Sequence, residues 1–275
     1  MVSTRKRIVI LTGSELRHTY FRKFIALSKE IEVINSYCEG VEKSLRAMVK
    51  KEKANDLRSQ HLTAREQSEA DFFGLFIDHT VDHSNPIFLP RGEINSLKYT
   101  QKIVKSNPQL VVAYSCSLIR EPLLSAFKNC FLNVHLGLSP YYRGGGTNYW
   151  PLVNEEPEYV GATFMYIDAG IDTGEIIHQI RPKVSWGDTP VQIGNRLIIE
   201  VSRVYRNIIN NFYHLEKMPQ LPKPATEKIY KNKEFSEESV VKLYDNFKAG
   251  LIQKYLAEEM AKCKNVPIIQ NTAIQ

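Results

Sequence analysis

The sequence predicts an α/β fold with a mostly parallel sheet and a small helical extension at its C-terminal end. Residues 8–11 form an apolar run that a glycine turn stops, and a helical pattern follows. The order strand, tight turn, helix is typical of the opening of a parallel α/β sheet. Residues 110–114 are apolar, β-branched and free of charge, as expected for a strand buried on both faces. Beyond Ser236, apolar residues recur at helical spacing.

The N-terminal third begins with alternating strands and helices and then changes character. We predict a strand at 8–11, a turn at Thr12-Gly13-Ser14, a helix at 15–28 and a strand at 31–34. Between residues 41 and 70, apolar residues keep helical spacing among many Lys, Arg and Glu residues. One or two amphipathic helices inserted into the connections of the sheet are therefore expected there. The apolar run 72–77 does not decide between helix and strand.

The rest of the chain continues the alternation and ends in helices. We predict a helix ending at 101–105, strands at 110–114 and 131–135 with a helix at 121–128 between them, strands at 160–167 and 175–180, and a helix from 190 to about 212. Thr189 is a good N-cap for that last helix, and Pro190 suits its first turn.

Three prolines, Pro219, Pro222 and Pro224, indicate a linker, and Ser236 caps a final amphipathic helix over 237–260. We therefore expect a main domain over 1–215, which includes the insertion at about 41–70, and a linker with a helical extension over 216–275. The final helix could dimerise or pack back on the main domain. Residues 1–6 and the tail after Val266 are expected to fray.

Composition restricts the function only loosely. The net charge of +6 and the isoelectric point near 9.0 favour an anionic partner weakly, and a basic surface that only keeps the protein soluble fits as well. The four cysteines lie far apart and contain no Cys-x-x-Cys pair, so neither a zinc site nor a disulfide framework is expected. The apolar run at 8–11 is too short for a signal peptide or a membrane span. We expect a cytoplasmic protein with no metal and no membrane segment.

Two polar residues stand at the end of the predicted strand 131–135. Asn133 and His135 are two residues apart, so they share one face of the strand, at the sheet edge where open α/β folds bind ligands. An amide can stabilise the oxyanion of a carbonyl under attack, and an imidazole can act as a general base near neutral pH. Asp172, in a glycine-flanked loop, could orient that imidazole. These parts suit acyl transfer to an amine, but the spacing alone leaves a purely structural His135 open.

Three separated blocks make the chemistry more specific. They are residues 133–140 (NVHLGLSP), Arg143-Gly144, and Ile171-Asp172-Thr173-Gly174. In this order they resemble the folate-dependent formyltransferase family, which includes methionyl-tRNA formyltransferase, glycinamide ribonucleotide formyltransferase and bacterial sugar N-formyltransferases. The resemblance covers about 7–215 and is sharpest over 108–182. It implies a Rossmann-like formyltransferase domain that uses 10-formyltetrahydrofolate as co-substrate.

The resemblance also implies roles for individual positions. Asn133, His135 and Asp172 fall on the catalytic residues of the family. The pterin-contacting positions are Ser117, Leu118 and Ile119 in one loop and Ala169 and Gly170 in a second. The positions that would contact the acceptor substrate are Gly13, Ser14, Arg143 and Gly144, where the turn at Gly13 and Ser14 matches the phosphate-contacting turn of the ribonucleotide enzyme.

Departures from the family pattern bear on the acceptor. The segment 137–140 (GLSP) differs from the Ser-Leu-Leu-Pro of tRNA-directed members, the region after 226 lacks their Ile-Asp-Trp signature, and about 50 residues remain for a C-terminal domain. In contrast, residues 144–151 (GGGTNYWP) resemble formyltransferases of surface-sugar synthesis. We therefore expect the primary amine of an amino-sugar nucleotide as acceptor, no nucleic acid, and a possible homodimer.

Three alternatives stay open at this level. The first is a methionyl-tRNA formyltransferase with a shortened C-terminal region. The second is a non-catalytic folate- or nucleotide-binding module that retains the fold. The third, a dinucleotide-dependent oxidoreductase, is disfavoured because the expected glycine spacing does not follow Gly13.

Overall fold

The computed structural model describes residues 5–52, 56–222 and 228–274. The expectations made for residues 1–4 and for Pro224 of the linker therefore lie outside the described residues.

A seven-stranded sheet forms the centre of the protein. The strands in chain order are β1 (Lys6–Gly13), β2 (Ile31–Glu39), β3 (Pro86–Leu89), β4 (Leu110–Tyr114), β5 (Phe131–His135), β6 (Tyr142–Gly144), β7 (Ala162–Tyr166), β8 (Ile176–Ile180) and β9 (Lys228–Tyr230). The large sheet has the order β3-β2-β1-β4-β5-β7-β8, with β1 to β5 parallel and β7 and β8 antiparallel to their neighbours. The predicted mostly parallel, Rossmann-like α/β fold is confirmed.

Helices cover both faces of the sheet. They are α1 (Leu16–Ala26), α2 (Leu45–Lys51), α3 (Leu57–His79), α4 (Leu97–Ser106), α5 (Leu123–Ala126), α6 (Trp150–Val153), α7 (Pro190–Asn210), α8 (Glu237–Lys248) and α9 (Leu251–Asn265). On one face, α1 and α7 bury side chains such as Phe21 and Leu197 against β1 and β4. On the other face, Ile103 of α4 and Leu123 of α5 pack against the same strands. The two sets of buried side chains hold the carboxyl ends of the parallel strands at one edge.

The insertion after β2 is longer than the sequence indicated. We expected helices within 41–70, but α3 continues to His79 and so includes the undecided run 72–77. Phe73, with 0% of its surface exposed, packs its ring 4.8 Å from that of Tyr20 on α1. The apolar run 72–77 shows neither the helical nor the strand period, so the helix here is stabilised by this contact between residues far apart in the sequence. In contrast, the helix expected at 121–128 is only the single turn of α5.

The three shortest strands were not predicted. β3 adds an edge to the large sheet through pairing with β2, while β6 and β9 pair with each other in a separate two-stranded parallel sheet. Next to that small sheet, the Lys228 Nζ atom lies 2.7 Å from an oxygen of Glu156. Each of these strands is defined by a partner far along the chain, so their local sequence carries little signal.

The C-terminal region packs back on the rest of the molecule. The expected single helix over 237–260 is two helices, because Gly250 adopts a left-handed φ of +83° between them. Leu243 of α8 and Tyr255 of α9 share a buried cluster with Trp150 and Leu152. Within the described residues, no helix is both long and apolar enough to cross a membrane.

The expectation of a frayed tail after Val266 is wrong. Asn271 is 1% exposed, and its side-chain amide donates to the carbonyl oxygens of Ile177 (3.2 Å) and Glu216 (2.9 Å). Its backbone N–H donates to Nδ1 of His178 at 3.0 Å. The polar Asn-Thr composition suggested a solvated end, but the buried asparagine side chain donates to one carbonyl group of β8 and to one of residue 216.

These contacts make Asn271 a stabilising residue. We expect Asn271→Ala to lower the free energy of unfolding by about 2 kcal/mol, because the buried carbonyl of Ile177 and the carbonyl of Glu216 lose their donor. Urea denaturation followed by circular dichroism measures the change. The neighbouring Thr272→Ala is the control, since Thr272 is exposed and should shift stability by less than about 0.5 kcal/mol. Equal stability of the two variants would contradict the proposed anchoring of the tail.

Candidate active site

A cavity of about 640 Å³ opens at the carboxyl ends of the central parallel strands. The turns after β1, β4 and β5 form its floor, where ligands bind in open α/β folds. Side chains of α3 form one wall, and Lys231, Asn232 and Phe235, after β9, add to another. Its size is within the range of small-molecule binding sites.

The imidazole of His135 lies between two oxygen atoms. Its Nε2 donates to the backbone carbonyl of Tyr142 at 3.0 Å, and its Nδ1 lies 3.3 Å from Oδ2 of Asp172. A backbone carbonyl only accepts hydrogen bonds, so the Nε2 proton is fixed. Nδ1 is therefore the ring atom at which a proton can be gained or lost, and it faces the carboxylate.

Asp172 reaches His135 from the loop between β7 and β8. Its backbone has a left-handed φ of +52°, which is uncommon for a residue other than glycine and is often found at functional sites. Oδ2 also accepts the backbone N–H of Gly144 at 3.2 Å, and the backbone carbonyl accepts from Gln220 at 3.4 Å. Within the described residues, Oδ1 has no hydrogen-bond partner. The loop thus presents one carboxylate oxygen to the imidazole and leaves the other for a ligand or water.

Asn133 stands on β5 on the same side as His135. Leu132 and Val134, the alternate residues of the strand, belong to the buried core, and Asn133 and His135 line the cavity. The structure therefore brings together the amide, the imidazole and the carboxylate that the sequence suggested.

Gly137 makes room for the imidazole. A Cβ atom at this position would lie 2.5 Å from Nε2 of His135 and 2.7 Å from Cβ of Thr147. Any side chain here would push the ring away from the carbonyl of Tyr142. Residue 137 must therefore be a glycine so that the imidazole of His135 can keep its position.

Two side chains anchor the loop after β4. Glu39, fully buried at the end of β2, accepts the backbone N–H of Ser117 (2.5 Å) and that of Gly92 (2.8 Å). Asn95 donates to the carbonyl oxygen of Leu118 at 3.0 Å and accepts the N–H of Arg120 at 2.8 Å. Hydrogen bonds from outside the loop therefore fix its backbone at the edge of the cavity.

Most of the other sequence-predicted residues also line the cavity. They are Gly13, Ser14, Ser117, Leu118, Ile119, Gly144 and Gly170. Ala169 is exposed in its loop and is not part of the cavity wall. Arg143 is only 5% exposed and likewise does not line the cavity.

Several residues of the cavity wall are not among those predicted from the sequence. His61, Arg65 and Glu69, four residues apart on α3, all face it, and Lys231 and Asn232 reach it from the segment after β9. The spacing of four in a predicted helix was the available signal for the first group. Glu39 also had a signal in the sequence, because it is a carboxylate at the carboxyl end of a strand. For Lys231 and Asn232 no local signal exists, because their position depends on the pairing of β9 with β6.

Comparisons with known proteins agree with this architecture. Residues 37–209 match the model of the formyl transferase family. A methionyl-tRNA formyltransferase of Desulforamulus reducens is 32% identical over 151 residues, which cover 53% of this chain and 46% of the relative. The chain thus spans about half the length of the relatives it matches.

Solved structures agree in fold at low sequence identity. A sugar N-formyltransferase from Shewanella sp. is 16% identical with a TM-score of 0.55, covering 84% of this chain and 78% of that one. An N-formyltransferase from Helicobacter canadensis, solved with folinic acid and dTDP-3-aminofucose, is 15% identical with a TM-score of 0.53, covering 86% and 80%. Because the family model spans more than half of the sequence, the chain belongs to the formyl transferase family.

Proposed function

We propose that this protein transfers a formyl group from 10-formyltetrahydrofolate to a primary amine. The observation that carries the proposal is the 3.3 Å approach of Asp172 to Nδ1 of His135, beside Asn133, in the wall of one cavity. An amide donor, a proton-accepting pair and room for two reactants are what formyl transfer to nitrogen needs.

Each of the three residues has a separate role in the proposed reaction. The neutral acceptor amine attacks the formyl carbon, and the side-chain amide of Asn133 donates to the formyl oxygen as it gains negative charge. The amine loses its proton to the Asp172–His135 pair, through Oδ1 or a bound water, and Nδ1 and Oδ2 share it. The C–N bond to the folate breaks, its nitrogen takes up a proton, and a formamide and tetrahydrofolate leave.

The anchored loop after β4 supports the folate part of the proposal. Ser117, Leu118 and Ile119 line the cavity next to the catalytic residues, and Leu118 is 50% exposed. Its exposed apolar side chain offers a surface to the flat pterin ring, while Glu39 and Asn95 hold the backbone. Gly170 and Asp172 would close the opposite side.

For the acceptor we favour a nucleotide-linked amino sugar. Residues 144–150, in the segment similar to surface-sugar formyltransferases, line the cavity, and the first of them, Gly144, donates its backbone N–H to Asp172. A tRNA acceptor is the second candidate, because the relatives by sequence include methionyl-tRNA formyltransferases at about 30% identity. A cytoplasmic location and a homodimer stay predictions.

The first test concerns the proton-accepting pair. Asp172→Asn keeps the shape of the side chain but cannot share a proton with His135, so turnover should fall by about 100-fold or more. Release of tetrahydrofolate, with 10-formyltetrahydrofolate and a panel of nucleotide-linked amino sugars, measures it.

The control for this test is Glu175→Gln, which removes a carboxylate at the end of the same loop. Glu175 is 55% exposed, and within the described residues its carboxylate pairs with Lys217 at 3.7 Å, so turnover should be unchanged. A turnover of Asp172→Asn within about three-fold of the wild type would remove Asp172 from the mechanism.

The second test concerns the anchored loop. In Glu39→Gln, an amide NH₂ would face one of the two backbone N–H groups that the carboxylate accepts, so the loop at Ser117 should loosen. We expect the Kd for folinic acid to rise by about ten-fold and the free energy of unfolding to fall by about 2 kcal/mol. Calorimetric titration and urea denaturation measure the two effects. The exposed neighbour Glu42→Gln should change neither, and an unaltered folinic acid Kd in Glu39→Gln would contradict the anchoring role.

The two acceptors differ in how binding depends on salt. Binding of initiator tRNA through phosphate contacts would weaken steeply between 50 and 200 mM salt, as counterions are released. We expect no specific gel shift with initiator tRNA and a concentration-dependent rise in melting temperature with an amino-sugar nucleotide. A tight, salt-dependent shift with initiator tRNA would favour the second candidate instead.

A further inference from the structure

A second polar cluster lies in the same cavity, away from the catalytic residues. It forms where the start of α1 meets α3. Arg17 donates to Glu69 at 2.5 Å and also pairs with Glu15. Arg65 of α3 lies 3.6 Å from Glu15 and 3.7 Å from Glu69. All four side chains line the cavity, so the proposed chemistry leaves part of its polar wall without a role.

Two further groups of this cluster are buried without hydrogen-bond partners. His18 and Tyr114, which are 2% and 1% exposed, line the cavity with ring centroids 5.1 Å apart. Within the described residues, neither His18 Nε2 nor Tyr114 Oη has a hydrogen bond. An unpaired buried polar group costs about 1–3 kcal/mol, so such atoms in a cavity wall indicate a ligand or water that satisfies them.

The hydrogen bonds of the cluster define what it offers a ligand. The N–H of Glu15 donates to Nδ1 of His18 at 3.1 Å, so Nδ1 has no proton and the neutral ring carries it on Nε2. Burial and the neighbouring Arg17 hold the pKa of His18 well below its usual value, and burial raises the pKa of Tyr114. His18 thus offers a donor, and Tyr114 offers a hydroxyl that donates or accepts.

The charges of the cluster balance. Arg17 and Arg65 are matched by Glu15 and Glu69, and the two ring residues are neutral. Arg91, which together with Arg17 and Arg65 lowers the pKa of His18, is itself paired with Glu39. A phosphate would meet two carboxylates here. Hydroxyl groups, which donate to carboxylates and accept from imidazole and guanidinium groups, fit the mixed set better.

The location suits an acceptor that spans two points. Tyr114 is the last residue of β4. On one side β4 pairs with β1, which leads into Glu15, and on the other side it pairs with β5, which carries Asn133. Two inter-strand spacings are about 10 Å, so the start of α1 and the catalytic residues are within reach of one acceptor molecule.

We propose that Glu15, Arg17, His18, Arg65, Glu69 and Tyr114 form the subsite that binds an uncharged, hydroxyl-rich ring of the acceptor. This inference rests on the proposed function and names the part of the acceptor that the α1–α3 wall recognises. It differs from the phosphate contact implied for Gly13 and Ser14, because the adjacent side chains include two carboxylates.

Tyr114→Phe tests the subsite with little risk to the fold, since Tyr114 Oη makes no hydrogen bond within the described residues. The matched control is Tyr205→Phe. Tyr205 is also fully buried, but it donates to the carbonyl of Ala113 at 3.3 Å and does not line the cavity. Calorimetric titrations with dTDP-3-aminofucose, inorganic phosphate and folinic acid are made on the wild type and both variants.

We expect Tyr114→Phe to raise the Kd for the amino-sugar nucleotide by about five-fold or more, with the Kd for folinic acid unchanged. Tyr205→Phe should leave both Kd values unaltered. Inorganic phosphate should compete with the nucleotide sugar equally in the wild type and in Tyr114→Phe. If the wild type binds both ligands and Tyr114→Phe binds the nucleotide sugar equally well, the subsite is wrong and the proposed function stands. If phosphate binding depends on Tyr114, the subsite is an anion site and the inference is overturned. If the wild type binds folinic acid but not the nucleotide sugar, the subsite is overturned. If the wild type binds neither of these two ligands, both proposals are overturned.

Discussion

The candidate site depends on the position of one imidazole ring. His135 is held at Nε2 by a backbone carbonyl and approached at Nδ1 by a carboxylate, so its plane and its tautomer are set before any substrate arrives. Three separate features meet this requirement: a glycine that leaves space beside the ring, the left-handed backbone at Asp172, and the N–H of Gly144 that steadies the carboxylate. Such preorganisation lets the protein stabilise charge without rearranging its own dipoles during the reaction.

The parts of the fold with strong local signals were predictable. The β1 turn into α1, the uncharged strand β4 and the Thr-Pro start of α7 follow from apolar spacing, glycine and capping residues, which act within a few positions. The parts that were missed or wrong depend on distant partners. β9 exists because it pairs with β6, α3 extends because Phe73 meets α1, and the tail is ordered because Asn271 completes the hydrogen bonds of β8.

The same division applies to the site. Asn133 and His135 could be placed together from the alternation of a strand, and Asp172 could be suggested through the family pattern. The side chains of α3 that line the cavity belong to a segment rich in charged residues, and their spacing alone does not show which of them are enclosed. Only the packing of α3 on α1 and α7 shows that part of this segment is enclosed. The buried Glu39 was overlooked because a single carboxylate at a strand end is a weak signal until the loop it holds is seen.

The pairing of β6 with β9 has a consequence for the design of fragments. Residues 228–230 lie beside the strand whose first residue, Tyr142, supplies the carbonyl that fixes His135, and Lys231 and Asn232 continue into the cavity. The region after the linker is therefore not a detachable appendage. A split version of this protein, expressed as two pieces divided before β9, would regain a complete cavity only through complementation. Grafting the N-terminal piece alone into a chimera would transfer Asn133, His135 and Asp172 without the wall that encloses them.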